Sequence, residues 1–141
     1  MIILDTSGLL AAMDAAERTH KAAAAALRAS EPPWCLSPFV LAELDYLLTT
    51  RVSRVAARRL LGEVADGAYR LEDFGPADVA QAVGILDRYQ GLDLSLADAS
   101  LLVLAERNET RDILTLDERH FRAVRDSRGR PFRILPADAA A

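Results

Sequence analysis

Three apolar residues, Ile2-Ile3-Leu4, run straight into an acid, Asp5, and this junction constrains the fold more than any other feature of the chain. A strand with one wet face alternates apolar and polar residues. An all-apolar strand has to be covered on both faces, which is the condition of a parallel sheet. Trp34-Cys35-Leu36 repeats the pattern, as do Ile113-Leu114-Thr115-Leu116, which ends at a second acid, Asp117, and Phe132-Arg133-Ile134-Leu135. Residues 69–74 alternate and read as a further strand nearer an edge. Helical spacing fills the gaps. Leu9, Leu10 and Met13 recur at helical intervals, and residues 17–29 form an alanine-rich stretch stopped by Pro32-Pro33. Ser37-Pro38 is a helix start, with Ser as cap and Pro in the first turn. Further amphipathic stretches cover 52–65, 76–89 and 117–124. Ser95-Leu96-Ala97-Asp98 is a capping box that opens a strongly apolar helix to about Arg107. Strands separated by helices imply right-handed crossovers. The expected fold is therefore α/β, a three-layer α/β/α sandwich on a parallel five-stranded sheet.

At 141 residues and 51% hydrophobic content the chain suits one domain, expected over residues 1–136, with a frayed tail at 137–141. A single cysteine, Cys35, excludes a disulfide framework and a thiolate zinc site. No apolar run reaches a membrane span and the N-terminus lacks a signal peptide's basic start, so a cytoplasmic protein is expected. The net charge of −4 argues against a protein that coats nucleic acid through a global positive field. Every basic residue except Lys21 is an arginine, and arginine forks suit phosphate oxygens.

In an open parallel sheet, sites form beyond the carboxyl ends of the strands, where strand order reverses. Asp5 and Asp117 fall there, Asp98 lies in the first turn of its helix, and Glu43 sits within the helix after the second strand. Each acid alone has an ordinary explanation as a cap or a surface residue. Together, carboxylates ~4 Å apart repel by roughly 4 kcal/mol per pair at an effective dielectric of ~20. A hard divalent cation relieves that repulsion. Other acid chemistries lack their residues: there is no GxGxxG, no phosphate-binding GxxxxGK, and position 7 holds Ser where an Asp-x-Asp phosphatase needs a second acid.

Asp5-Thr6-Ser7, the isolated Glu43, Ser95-Leu96-Ala97-Asp98-Ala99 and Thr115-Leu116-Asp117-Glu118-Arg119-His120-Phe121 resemble, in this order, the acidic motifs of PIN-domain ribonucleases, and more narrowly those of VapC toxins. The resemblance spans essentially the whole chain. It implies a PIN-like sandwich, a Mg²⁺ or Mn²⁺ site at Asp5, Glu43, Asp98 and Asp117, cleavage of single-stranded RNA, homodimerisation and inhibition by a cognate VapB-type antitoxin. The alternative is a PIN-like module that no longer cleaves and works through its partner surface, against which the four intact acids speak.

Thr6, Ser7 and Thr115 are hydroxyls at the same edge, suited to orienting a water or an acid. Arginines form two groups: Arg51, Arg54, Arg58 and Arg59, and then Arg119, Arg122 and Arg125, followed by Arg128, Arg130 and Arg133. The group next to Asp117 (Arg119, Arg122, Arg125) is the expected RNA-backbone contact. His120 reads as a surface or packing residue and Cys35 as a small core residue. The seam for a second copy or an antitoxin is expected among Leu9, Leu10, Met13, residues 22–26, Val52 and Val55.

Overall fold

The computed structural model describes residues 1–139. Five parallel strands stand in the order β3-β2-β1-β4-β5, as Arg70–Leu71, Trp34–Leu36, Ile2–Leu4, Asp112–Leu114 and Arg133–Leu135. Seven helices follow in chain order: α1 Thr6–Met13, α2 His20–Ala29, α3 Pro38–Arg51, α4 Arg54–Ala65, α5 Pro76–Arg88, α6 Leu96–Arg107 and α7 Glu118–Phe121. The expected α/β sandwich is the observed one. Ile2, Ile3 and Leu4 are all fully buried, as a central strand covered on both faces requires.

β1 is the pivot. It pairs with β2 on one side (Ile3 with Cys35) and with β4 on the other (Ile3 with Ile113). The chain winds outward from β1 through β2 to β3, then returns through α5 and α6 to place β4 on β1's free side. Strand order therefore reverses between β1 and β4, and a crevice beyond the carboxyl ends at such a switch is where open α/β sheets generally take their ligands.

Two local devices aim this crevice. α1 starts immediately after β1, and its Gly8 rests on the end of β4. A Cβ at Gly8 would lie 2.3 Å from the Leu114 carbonyl oxygen and 2.7 Å from the Thr115 nitrogen, so only glycine permits this approach. Deeper in, Ser37 and Ser100, both fully buried, join α3 to α6 through their hydroxyls at 2.8 Å. Ser100 Oγ donates to the Ala97 carbonyl at 2.6 Å, so Ser37 is the donor to Ser100 and accepts the Phe39 amide as N-cap. This chain of bonds fixes the helix carrying Glu43 against the helix carrying Asp98.

Several expected boundaries move. α2 begins at His20 rather than 17, where His20 Nδ1 meets the Ala11 carbonyl at 2.8 Å. α3 runs through Thr49-Thr50 to Arg51, and their hydroxyls donate back to the carbonyls of Asp45 and Tyr46. The third strand shrinks from 69–74 to two residues. Fraying was expected from 137, but Asp138 is clamped: Arg122 donates two hydrogen bonds to its carboxylate, at 3.2 and 2.8 Å, and the Ile134 amide donates a third at 2.8 Å. Ala140 and Ala141 lie outside the described residues. Leu9, Leu10, Ala23, Ala24 and Ala26 are buried in the chain's own core and cannot form the expected seam. Among the seam candidates Ala22, Ala25, Val52 and Val55 stay exposed, and Tyr46, Val79 and Val83 join them.

Candidate active site

The crevice opens into a hollow of about 420 Å³ lined by Asp5, Thr6, Ser7, Glu43, Asp98 and Asp117, with Glu17, Arg51 and the apolar Leu10, Leu47 and Leu116. All four acids nominated from the sequence meet here, each from a different segment. Glu17 is a fifth carboxylate that sequence reading missed. It comes from the turn before α2, a stretch read as helix, so nothing marked it as facing this edge.

Asp5 is the buried member, 7% exposed. Its Oδ2 accepts from Thr115 Oγ1 at 2.6 Å and from Ser7 Oγ at 3.1 Å. The same hydroxyls accept backbone amides: Leu116 donates to Ser7 Oγ and Asp117 to Thr115 Oγ1, both at 2.9 Å. Ser7 and Thr115 thus tie the end of β1, the start of α1 and the end of β4 around one carboxylate oxygen. This is the acid-orienting role open to them from sequence. Burial pushes the Asp5 carboxyl up to about 6, the charge of Asp98 pushes the same way, and the Thr115 and Ser7 hydroxyls oppose it.

Asp98 completes the expected capping box. Its amide donates to Ser95 Oγ and its Oδ2 accepts the Ser95 amide, each at 3.0 Å. Glu43 is held above its usual range first by partial desolvation and then by Asp98. Asp5, Glu43 and Asp98 have no salt bridge to any described residue.

Asp117 differs. Its Oδ1 accepts the His120 amide at 3.1 Å and its Oδ2 meets His120 Nδ1 at 2.6 Å. That hydrogen bond raises the imidazole's proton affinity. The packing role expected for His120 therefore gives way to a role as direct partner of a site acid. A signal was present: Asp117 and His120 are three residues apart, the N-cap-to-N3 spacing at a helix start.

The arginines expected at this site divide. Arg122 is consumed by Glu118 and Asp138, and Arg125 donates to the carbonyls of Arg122 and Val124, with neither lining the hollow. Arg119 is exposed but does not line it either. The cation that does is Arg51.

This donor set suits a hard divalent cation in kind. Every donor is oxygen, four of the five carboxylates (all but Asp117) have no salt bridge to a described residue, and the buried Thr6 Oγ1 has no hydrogen-bond partner. Among the described residues no three His, Cys, Asp or Glu side chains are close enough to hold an ion between them as they stand. Mg²⁺ does not need three: it is commonly bound by one or two carboxylates and keeps several waters.

A parallel sheet with a carboxylate hollow at its topological switch is the arrangement of a PIN domain. The PIN domain family model matches residues 2–126, and the chain belongs to that family. Ribonuclease VapC26 of Mycobacterium tuberculosis (strain ATCC 25618 / H37Rv) is 46% identical over 135 residues, 96% of this chain and 100% of that protein. Among solved structures, Mycobacterium tuberculosis VapC20, described as a Sarcin-Ricin loop cleaving toxin, superposes with a TM-score of 0.78 at 22% identity, over 85% of this chain and 92% of that one. A toxin–antitoxin complex from Klebsiella pneumoniae gives 0.68 at 18%, over 88% and 92%. At such identities these structures speak to the fold. Among the described residues no helix is long and apolar enough to cross a membrane.

Proposed function

We propose that the chain is an endoribonuclease of the VapC type, the toxin of a toxin–antitoxin pair, cleaving single-stranded RNA with the help of Mg²⁺ or Mn²⁺. The observation that carries this reading is the meeting of Asp5, Glu43, Asp98 and Asp117 at the switch between β1 and β4, three of them without a cationic partner. The identity to Ribonuclease VapC26 supports RNA as the substrate, and the likeness in fold to the toxin–antitoxin complex from Klebsiella pneumoniae supports an antitoxin partner. Asp5 and Asp98 would hold the cation, with Glu43 and Asp117 beside them. When bound, it would neutralise phosphate charge and raise the acidity of a water. The chain's own groups do the rest. Glu43, with its raised proton affinity, is suited to take the proton of the attacking water. Ser7 and Thr115 hold Asp5 in one orientation, and His120 does the same for Asp117.

The test is cleavage of a labelled single-stranded RNA. Cleavage is expected with Mg²⁺ or Mn²⁺ and is lost on chelation. Asp98→Asn is expected to weaken Mn²⁺ binding by about 10–100-fold or more. Cleavage at full rate after chelation, or unchanged Mn²⁺ affinity in the variant, contradicts the reading. Tight Mn²⁺ binding with no cleavage of any RNA would favour the non-cleaving module.

His120 acts through Asp117 as a positioning residue. His120→Ala is expected to lower Mn²⁺ affinity and turnover by roughly tenfold. His120→Asn places an amide N–H near the position of Nδ1 and should recover most of both. Equal loss in the two variants removes the positioning role.

Assembly as a homodimer is proposed on the exposed apolar residues of α3, α4 and α5. Tyr46 is 60% and Val55 72% exposed, and Val79 and Val83 lie one turn apart. Light scattering at tens of micromolar should give twice 15.3 kDa. A strictly monomeric mass contradicts it.

A further inference from the structure

We propose that Arg51, with Arg54 and Arg58 beyond it, forms the track that receives the RNA backbone as it leaves the acidic hollow. The proposal rests on the ribonuclease reading and names the surface that binds its substrate.

Arg51 is the one cation lining the hollow. It shares a face of α3 with Glu43 and Leu47, at intervals of four residues, and all three line the hollow. Eight residues along a helix span about 12 Å, so Arg51 stands two turns beyond Glu43, over which an RNA strand carries more than one phosphate. Its side chain forms no hydrogen bond or ion pair with any described residue, and it is exposed. Arg70, Arg107, Arg122, Arg130 and Arg133, by contrast, each pair with an acid.

The chain then turns at Val52-Ser53 and enters α4, where Arg54 and Arg58 are also exposed and unpaired among the described residues. They lie one turn apart, a like-charge spacing that costs helix stability when nothing anionic covers it. An unpaired guanidinium keeps its fork of donors free for phosphate oxygens.

The chemistry favours RNA over an acidic polypeptide. An acidic polypeptide gains nothing by approaching a rim that leads into five carboxylates. An RNA strand with its scissile phosphate in the hollow must leave across some part of the rim. Of the side chains that line the hollow, the positive one is Arg51, at its α3 end.

The experiment uses the full chain carrying Asp98→Asn, a fluorescein-labelled single-stranded oligoribonucleotide, Mn²⁺, and anisotropy read across a salt series. Arg51→Ala is expected to weaken binding roughly tenfold, and Arg54→Ala with Arg58→Ala to flatten the salt slope by about 1.4, or about 0.7 per lost phosphate contact. Arg28→Ala, an exposed arginine on α2, is the control for loss of one charge. In the otherwise native chain Arg51→Ala should raise KM more than it lowers kcat, and Arg51→Lys should recover most of the salt slope. Equal affinity of the Arg51→Ala and Arg28→Ala proteins overturns the proposal while leaving the ribonuclease reading intact. Retained cleavage by Asp98→Asn overturns that reading instead. Poly-glutamate binding that depends on these arginines, with RNA affinity unchanged, would assign the patch to an acidic polypeptide and overturn the proposal.

Discussion

Asp5→Asn is expected to abolish RNA cleavage and, in chelator at pH 7.5, to make the protein more stable than the wild type by about 2–3 kcal/mol. The sign follows from where the proton sits. In the unfolded chain Asp5 titrates near 3.8, whereas in the fold burial and the charge of Asp98 push it up to about 6. Between those values the folded protein keeps a proton the unfolded chain has already released. Stability therefore falls as pH rises through this window, and above it the fold carries the full cost of a buried charge. Asparagine keeps a carbonyl oxygen to accept from Thr115 and Ser7 and carries no charge. The gap between variant and wild type should be widest above pH 7 and close by about pH 4. Excess Mn²⁺ should reverse the order, because ligand binding to the native state stabilises the wild type and gives the variant little. Urea melts at pH 4, 5, 6 and 7.5, with chelator and with Mn²⁺, measure it. A gap that does not change with pH would show that the charge of Asp5 is not its cause.

The four acids were legible in the sequence because each carries a local mark. Asp5 and Asp117 end apolar runs, Asp98 closes a capping box whose halves are three residues apart, and Glu43 is an acid in an apolar helical stretch. The lengths of β1 and β2 were read correctly, but those of β3 and β4 were not legible, since they depend on partners. β3 pairs with Cys35 and Leu36 of a three-residue neighbour, so it stops after Arg70–Leu71 although alternation continues to residue 74. β4 was read through Leu116. It ends at Leu114 because hydroxyls take over the ladder, with Ser7 accepting the Leu116 amide and Thr115 that of Asp117.

The arginines show the other limit. Spacing alone put Arg122 and Arg125 beside Asp117, but α7 is four residues long and Arg122 turns to Asp138, sixteen residues away. Arg51 was visible as a member of a basic group, yet only the packing of α3 against the switch crevice separates it from that group. A buried bond such as Ser37 to Ser100, 63 residues apart, leaves no sequence mark at all.

Gly8→Ala is expected to cost about 2 kcal/mol of stability and to lower cleavage by about 100-fold while the domain still folds. On an isolated helix the change would help, by up to about 1 kcal/mol, because alanine is the better helix former. Here the new Cβ would meet backbone, with the Leu114 carbonyl carbon at 2.5 Å and its oxygen at 2.3 Å, and no rotamer change can move those atoms. α1 has to lift away from the end of β4. That motion pulls apart the atoms that orient Asp5, because Ser7 belongs to α1 while Thr115 and the Leu116 amide belong to the end of β4. Displacements of about 1 Å at a catalytic group cost on the order of 10²-fold in rate, so function should fall much further than stability. The melting temperature should drop by about 8 °C at ~4 °C per kcal/mol for a chain of this size. Cleavage assayed well below the new transition separates the two effects. Native activity with a lowered melting temperature would show that the site tolerates the displacement. Unchanged values of both would show that α1 does not press on β4 as the backbone distances require.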